Sequence, residues 1–481
     1  MEVSTMTYPI KHVFVVMFEN RSFDHMLGFT ILNGTDPGGN ATTLEILTGE
    51  EENSDDSGIY SVGKHAPVAM PYDPGHEFEN IQQQIFGPTA TSGPVTMGGF
   101  VASAAKTSPT SRSLVMQCFT PNQLPVINQL AAEFAVCDHW FASLPGPTGP
   151  NRFFAHAATS GGLDYSPDAP SMALGGGLFS FQNGTIYDAL HDKGLKWRVY
   201  HADNFPQCTL IQGMPEKLLL GPEFKTYSAF RDDLNSGSYD YSYTFIEPNY
   251  GDHSYRGGNS QHPLNDITAG DQFLKDVYES IRNSPVWNES MLFVMYDEHG
   301  GFFDHVHPPD TNVVPPGDQV KYNKNGFTFN RLGVRVPALV ISPYVQRNTI
   351  DHSIYDHTSM LRTVEKLFGL DPLTNRDQAA DDLLKVLTLG APRSDTPITL
   401  LQANTAAAPN PNERLANLAA TDTIDGMMHT QLISAMHQDM LMNPDNKEAI
   451  QANVATIDTR TAATNYLGSV AVQANEILLH K

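Results

Sequence analysis

The sequence predicts an α/β protein: a mainly parallel central sheet flanked by helices, followed by a helical C-terminal extension. Three observations carry this reading. Short, nearly continuous apolar runs at 10–18, 291–296 and 336–342 have the pattern of strands buried on both faces. Segments with helical spacing fall between them. From about residue 397 glycine becomes sparse, while Ala, Met, Gln and Leu become common.

The elements follow in chain order. The first strand, 10–18, ends in Glu19-Asn20-Arg21-Ser22-Phe23-Asp24-His25. Residues 33–62 are polar, Gly-rich and acidic, and read as a surface excursion. Helices are predicted at 80–86, 123–134, 148–160 and 185–193, with a strand at 197–200. A helix over 271–284 leads to the strand 290–296, which ends in Asp297-Glu298-His299-Gly300-Gly301. A strand at 336–342 and a helix over 353–368 complete the first domain, 1–396. In the C-terminal region, 397–481, Leu432, Met436 and Met440 fall at helical spacing and read as core filler. Further helices are expected within 447–480.

Composition sets limits. Of 481 residues, 40% are hydrophobic, enough for a large core. Only 17% are charged, and 37 glycines and 33 prolines point to long structured loops. A net charge of −24 repels nucleic-acid phosphates and argues against a DNA or RNA partner. It does not exclude small anions, because a local cation overrides the global field. Cys118, Cys137 and Cys208 lack C-x-x-C spacing and read as buried thiols, with one disulfide left open. The first residues hold no apolar leader segment and no run is long enough to cross a bilayer. The expectation is a soluble chain without a transmembrane anchor, either cytoplasmic or the mature form of a secreted protein.

Two strands ending in acidic clusters, Glu19-Asn20 and Asp297-Glu298, suggest a site. Carboxyl ends of parallel strands share one edge, where open α/β sheets bind ligands. Clustered buried carboxylates are costly, and a divalent cation with oxygen ligands relieves that cost. The alternative is that each cluster caps a helix or meets an arginine. Thr148, in Leu144-Pro145-Gly146-Pro147-Thr148-Gly149-Pro150-Asn151-Arg152, sits where a helix N-cap would be. Such a hydroxyl beside a metal is a candidate nucleophile; the alternative is an ordinary cap. His76, His201, His262, His299, His305 and His307 are candidate phosphate ligands or acids. Gly300-Gly301 lacks the Lys-Ser/Thr of a P-loop, so ATP chemistry is not indicated.

The segment 19–25 resembles the N-terminal signature of the phosphoesterase family of bacterial phosphatidylcholine-hydrolysing phospholipase C, plant non-specific phospholipase C and a bacterial acid phosphatase. Gly146-Pro147-Thr148-Gly149-Pro150-Asn151-Arg152 resembles its nucleophile segment, and 296–306 its late metal motif. His262-Pro263, Arg335-Val336-Pro337 and Asp356-His357-Thr358-Ser359 also fit. The resemblance runs from about residue 9 to about residue 370 and implies an alkaline-phosphatase-like catalytic domain over 1–396. It implies that Glu19, Asn20, Asp297 and Glu298 hold a divalent metal, with Thr148 as remaining ligand and nucleophile. Mg, Ca, Mn and Zn all remain open as its identity. His76 and His262 would line the phosphate pocket, and Asn20 would touch a phosphate oxygen. Asp304, His305 and His201 are further catalytic candidates. The expected activity is phospholipase C cleavage to diacylglycerol and a phosphorylated head group, through a phospho-threonine intermediate. The alternatives are an acid phosphatase on soluble monoesters and, from another class, an inactive binding module. The expected partner is a phospholipid or a small phosphate ester; a transient membrane contact is compatible with this, an integral one is not.

Overall fold

The computed structural model describes residues 9–90, 92–175, 177–251, 257–318, 320–404 and 424–478. The apolar run after Ile10 forms β1, His12–Phe18, with every residue buried. Two-sided burial explains why it is apolar throughout rather than alternating. Further strands are β2 (Asn33–Thr35), β3 (Ala41–Thr43), β4 (Glu52–Asp55), β5 (Gly58–Ser61), β6 (Gly63–Lys64) and β7 (Gln117–Cys118). Then come β8 (Ala135–Cys137), β9 (Trp197–His201), β10 (Phe224–Thr226), β11 (Tyr243–Glu247), β12 (Ser290–Tyr296), β13 (Ala338–Ile341) and β14 (Thr349–Asp351).

Ten of these build one sheet in the order β10-β9-β11-β1-β12-β13-β8-β14-β2-β3. From β10 to β12 every neighbour is parallel. β13 runs against both β12 and β8, so β8 and its parallel neighbour β14 point the same way as β1 and β12. The carboxyl ends of β1, β12, β8 and β14 therefore share one edge. The fold class expected from the sequence is the one observed: a mixed, mostly parallel sheet with helices packed around it. Two details depart from expectation. β13 is antiparallel, because the chain reaches it from β12 through a long loop rather than a crossover helix. The stretch 33–62 lies mostly at the surface as expected, but it also contributes β2 and β3 to the sheet edge and a β4–β5 hairpin.

Helix boundaries follow local capping. The helix predicted over 353–368 starts at His357, because the Asp356 side chain accepts the Thr358 N–H. The predicted 123–134 helix runs Pro125–Glu133, with proline in its first turn. Among the described residues of the C-terminal region there are three α-helices, Gly426–Met442, Lys447–Val454 and Arg460–Leu478. Leu432, Met436 and Met440 are buried and join the same core as β1 and β12. Residues 405–423 and 479–481 of the C-terminal region, and 1–8 at the start, lie outside the described residues. All three cysteines are buried and free. No helix among the described residues is long and apolar enough to cross a membrane.

Candidate active site

The two acidic clusters meet at the carboxyl edge. β1 and β12 pair in register up to Phe18 and Tyr296, so Glu19-Asn20 and Asp297-Glu298 emerge side by side. Asn20 takes a left-handed conformation, φ 55°, which asparagine tolerates better than most residues. That turn aims its N–H at Asp297 Oδ1, 2.9 Å away. Gly300 crosses directly above, with φ 64°; a Cβ there would lie 2.2 Å from the Asn20 carbonyl oxygen. The glycine is thus required by both conformation and space.

Thr148 opens the helix Thr148–Ala157. The sequence placed it at the N-cap, but the structure puts Pro147 there and Thr148 one residue further in. Its hydroxyl is consequently not used for capping. It donates instead to Asn20 Oδ1 at 3.2 Å. The Gly-Pro turn before it is held by Asn151, whose Nδ2 donates to the Gly146 carbonyl at 2.8 Å and whose Oδ1 accepts the Leu144 N–H at 3.2 Å. The hydroxyl therefore sits on a rigid helix N-terminus, where free N–H groups favour an anion.

Thr148, Glu19, Asn20, His76 and His262 line one cavity of about 210 Å³. His76 Nε2 lies 3.3 Å from Asn20 Nδ2, and its Nδ1 is 2.8 Å from the Pro74 carbonyl. Asp73 stands between the two imidazoles, 3.9 Å from His76 Nδ1 and 3.5 Å from His262 Nε2. Burial pushes the His76 imidazole down, but the Glu298, Asp73 and Glu77 carboxylates outweigh it and raise the group to about 10. His299, buried and near His76, is pushed down to about 3 and stays neutral.

The carboxylates are strained electrostatically. Burial raises Glu19 to about 7, with Arg152 opposing and Asp297 adding to the shift. Burial also holds Glu298 well above the usual carboxylate range. Glu19 Oε1 accepts from Gln207 Nε2 at 2.6 Å, and Glu298 Oε2 accepts the Gly300 N–H at 2.8 Å. Their other oxygens, Glu19 Oε2 and Glu298 Oε1, are buried without a hydrogen-bond partner. Orphaned buried carboxylate oxygens are costly, and an oxygen-ligated divalent cation is the group that removes that cost. The residues fit such an ion in donor chemistry. Asp297 is differently placed. Its Oδ1 accepts the Asn20 and Glu298 N–H groups, and Arg152 Nε donates to its Oδ2 at 3.2 Å. Asp297 and Glu298 stand behind the cavity wall rather than in it.

Three candidates lie elsewhere. Asp304 is buried with Asp24 around the Arg335 guanidinium, which donates to Asp304 Oδ1 at 3.1 Å and Asp24 Oδ1 at 2.8 Å. His305 Nδ1 is 2.7 Å from Asp24 Oδ2. Neither Asp304 nor His305 borders the Thr148 cavity. His201, at the end of β9, places its Nδ1 2.6 Å from the Asp203 carbonyl and is also absent from the lining. The structure does not bring these residues to Thr148; Asp304 and His305 belong to a neighbouring ion network with Asp24 and Arg335.

Sequence reasoning missed several contributors. Asp73 stands three residues before His76, and Arg152 in the Thr148 motif; a demand for counter-charge would have found both. Gln207 had no sequence signal. It is positioned by Glu247, which accepts the N–H groups of Gln207 at 2.8 Å and Cys208 at 2.9 Å. Gly426, Met427 and Thr430, the first turn of a C-terminal helix, complete the cavity rim.

A helix-borne hydroxyl facing histidines, beside buried carboxylates at the carboxyl edge of an α/β sheet, defines a hydrolytic enzyme site. The chain belongs to the Phosphoesterase family, whose profile matches residues 10–371. It is 40% identical over 409 residues to non-specific phospholipase C3 of Arabidopsis thaliana, covering 82% of this chain and 76% of that one. It is 26% identical over 447 residues to phospholipase C B of Mycobacterium tuberculosis, covering 80% and 78%. A solved protein in the alkaline phosphatase superfamily from Vibrio parahaemolyticus is similar at 14% identity and a TM-score of 0.33, covering 74% of each chain, too distant to add to the fold above. The protein is a phosphoric ester hydrolase.

Proposed function

We propose that this enzyme is a phospholipase C-type phosphodiesterase that uses Thr148 as nucleophile. The observation that carries this is the Thr148 hydroxyl, released from capping and turned into the cavity against Asn20, beside His76. The relatives named phospholipase C support the diester over other esters.

A phosphate group fits at the helix N-terminus, where backbone N–H groups and the Asn20 amide meet its oxygens. Thr148 Oγ1 loses its proton to solvent as it attacks phosphorus in line and expels the alcohol, diacylglycerol in the phospholipid case. His76, which lines the cavity beside Thr148, protonates the departing oxygen. Water then cleaves the Thr148 ester and restores the hydroxyl. Glu19, Asn20, Thr148 and Glu298 would hold a divalent cation, with Asp297 shared with Arg152. When bound, that cation lowers the pKa of the hydroxyl and neutralises phosphate charge.

A second reading has its own support. The cavity, at about 210 Å³, is small and lined largely by polar side chains, which suits a soluble phosphomonoester. Hydrolysis of a chromogenic phosphorylcholine diester and of a phosphate monoester separates the two. Wild type, Thr148→Ala and EDTA-treated enzyme are run in parallel. Preference for the diester, abolished by both treatments, is expected; preference for the monoester would transfer the reading to a phosphatase.

A further inference from the structure

We propose that Asp138, His139 and His352 form a second metal site, for a borderline divalent cation of the zinc class, separate from the Thr148 site and independent of the function assigned to it. β8 and β14 are parallel neighbours, with Cys137 opposite Asp351. The next residues, Asp138-His139 and His352, therefore emerge together at the carboxyl edge of the sheet, three strands from β1's partner β12 in the order β12-β13-β8-β14.

Three donor atoms converge there. Asp138 Oδ1 lies 2.9 Å from His352 Nδ1 and 3.3 Å from His139 Nδ1. Ligand atoms around a tetrahedral zinc ion stand about 3.4 Å apart, given bonds of about 2.1 Å. The His139 Nδ1 is buried and has only the Asp138 carboxylate, in a long 3.3 Å contact, as its polar neighbour.

The outer groups are equally ordered. The far nitrogen of His139, Nε2, meets Glu45 Oε2 at 3.0 Å, and that of His352 meets Thr42 Oγ1 at 2.6 Å. The Glu45 N–H donates to the second Asp138 oxygen at 3.0 Å. Metal-bound histidines characteristically give their other N–H to a carboxylate or similar acceptor, which fixes the ring and its tautomer. One short segment, β3 and the two residues after it, supplies these outer partners.

Arg335 donates to the Asp138 carbonyl at 3.0 Å, but its charge is matched by Asp24 and Asp304. The other close triplet among the described residues, Asp24-Asp304-His305, encloses that guanidinium and has no room for a metal. Two imidazoles and one carboxylate select zinc-class ions over magnesium or calcium and leave a fourth position open. The catalytic cluster, with oxygen donors alone, has the opposite preference. His139 also borders a neighbouring cavity of about 610 Å³.

The test uses the full chain, stripped by chelator and then dialysed against Zn²⁺, with bound zinc counted by mass spectrometry and affinity measured by titration. Wild type is expected to hold one zinc equivalent that His139→Ala and His352→Ala lose and that Glu298→Gln keeps. Thr42→Val and Glu45→Gln are expected to keep the equivalent but weaken it about 10- to 100-fold. Circular dichroism confirms that each variant is folded, and the Thr42 and Glu45 variants carry the test if a histidine variant is not. Equal zinc content and affinity in wild type and the folded variants, or zinc lost only in Glu298→Gln, would overturn the proposal and leave a carboxylate hydrogen-bonded to two imidazoles.

Discussion

At the residue scale, Thr148 is instructive because its helix cap falls one residue from where the sequence puts it. The sequence showed a hydroxyl in a Gly/Pro turn before a helix, which by itself favours a cap. The structure moves the cap to Pro147, and that shift of one residue frees the hydroxyl. No pattern in the sequence distinguishes the two, because the difference lies in backbone angles set by Asn151. Thr148→Ala is expected to lower kcat about 10³-fold or more with little change in stability, and Thr148→Ser to retain part of the rate. Steady-state kinetics alongside thermal melts check both. Asp304 was legible as part of a motif but not in its role. It belongs with Asp24 to the fully buried Arg335. Removing one member of a buried ion network strands the others, so Arg335→Met is expected to cost about 3–5 kcal/mol in chemical denaturation.

At the scale of elements, the long buried strands were plain in the sequence. β1 and β12, of seven residues each, are buried throughout and apolar after their first residue. β8 and β14 have only three residues each, too few for any period to show, and they were not anticipated. Yet those two carry the Asp138 cluster, so the part of the sheet hardest to read holds the least expected site. The loop after β12 was legible as Gly300-Gly301, but its purpose needs the structure. Gly300 lets the chain pass over the Asn20 carbonyl. Gly300→Ala is expected to push Asn20 away from Thr148 and to lower kcat/KM about 100-fold, since small displacements of catalytic groups are that costly. A crystal structure of the variant would show Asn20 displaced; an unmoved Asn20 with full activity would contradict this reading of the turn.

At the scale of the whole molecule, the C-terminal helices are more than an appendage. Gly426, Met427 and Thr430 close the cavity rim, which no local pattern in the sequence foretold. Stability as a function of pH is also a property of the whole fold. Burial raises Glu365 from 4.5 to about 9, and a hydrogen bond with Asp377 adds to the shift. A group raised on folding stabilises fully below its unfolded value and loses that contribution as pH rises through the folded one. Melting temperature is therefore expected to decline between about pH 5 and about pH 9, and Glu365→Gln to flatten that slope. An unchanged slope in the variant would remove Glu365 from the explanation.

The central claim is that Thr148 becomes covalently bonded to phosphorus. The most direct measurement is an acid quench of wild-type enzyme during turnover of a phosphorylcholine diester, followed by peptide mapping by mass spectrometry. The expected result is a phosphorylcholine adduct on Thr148 that appears and decays with turnover. An adduct on another side chain, with Thr148 unmodified throughout, would contradict it.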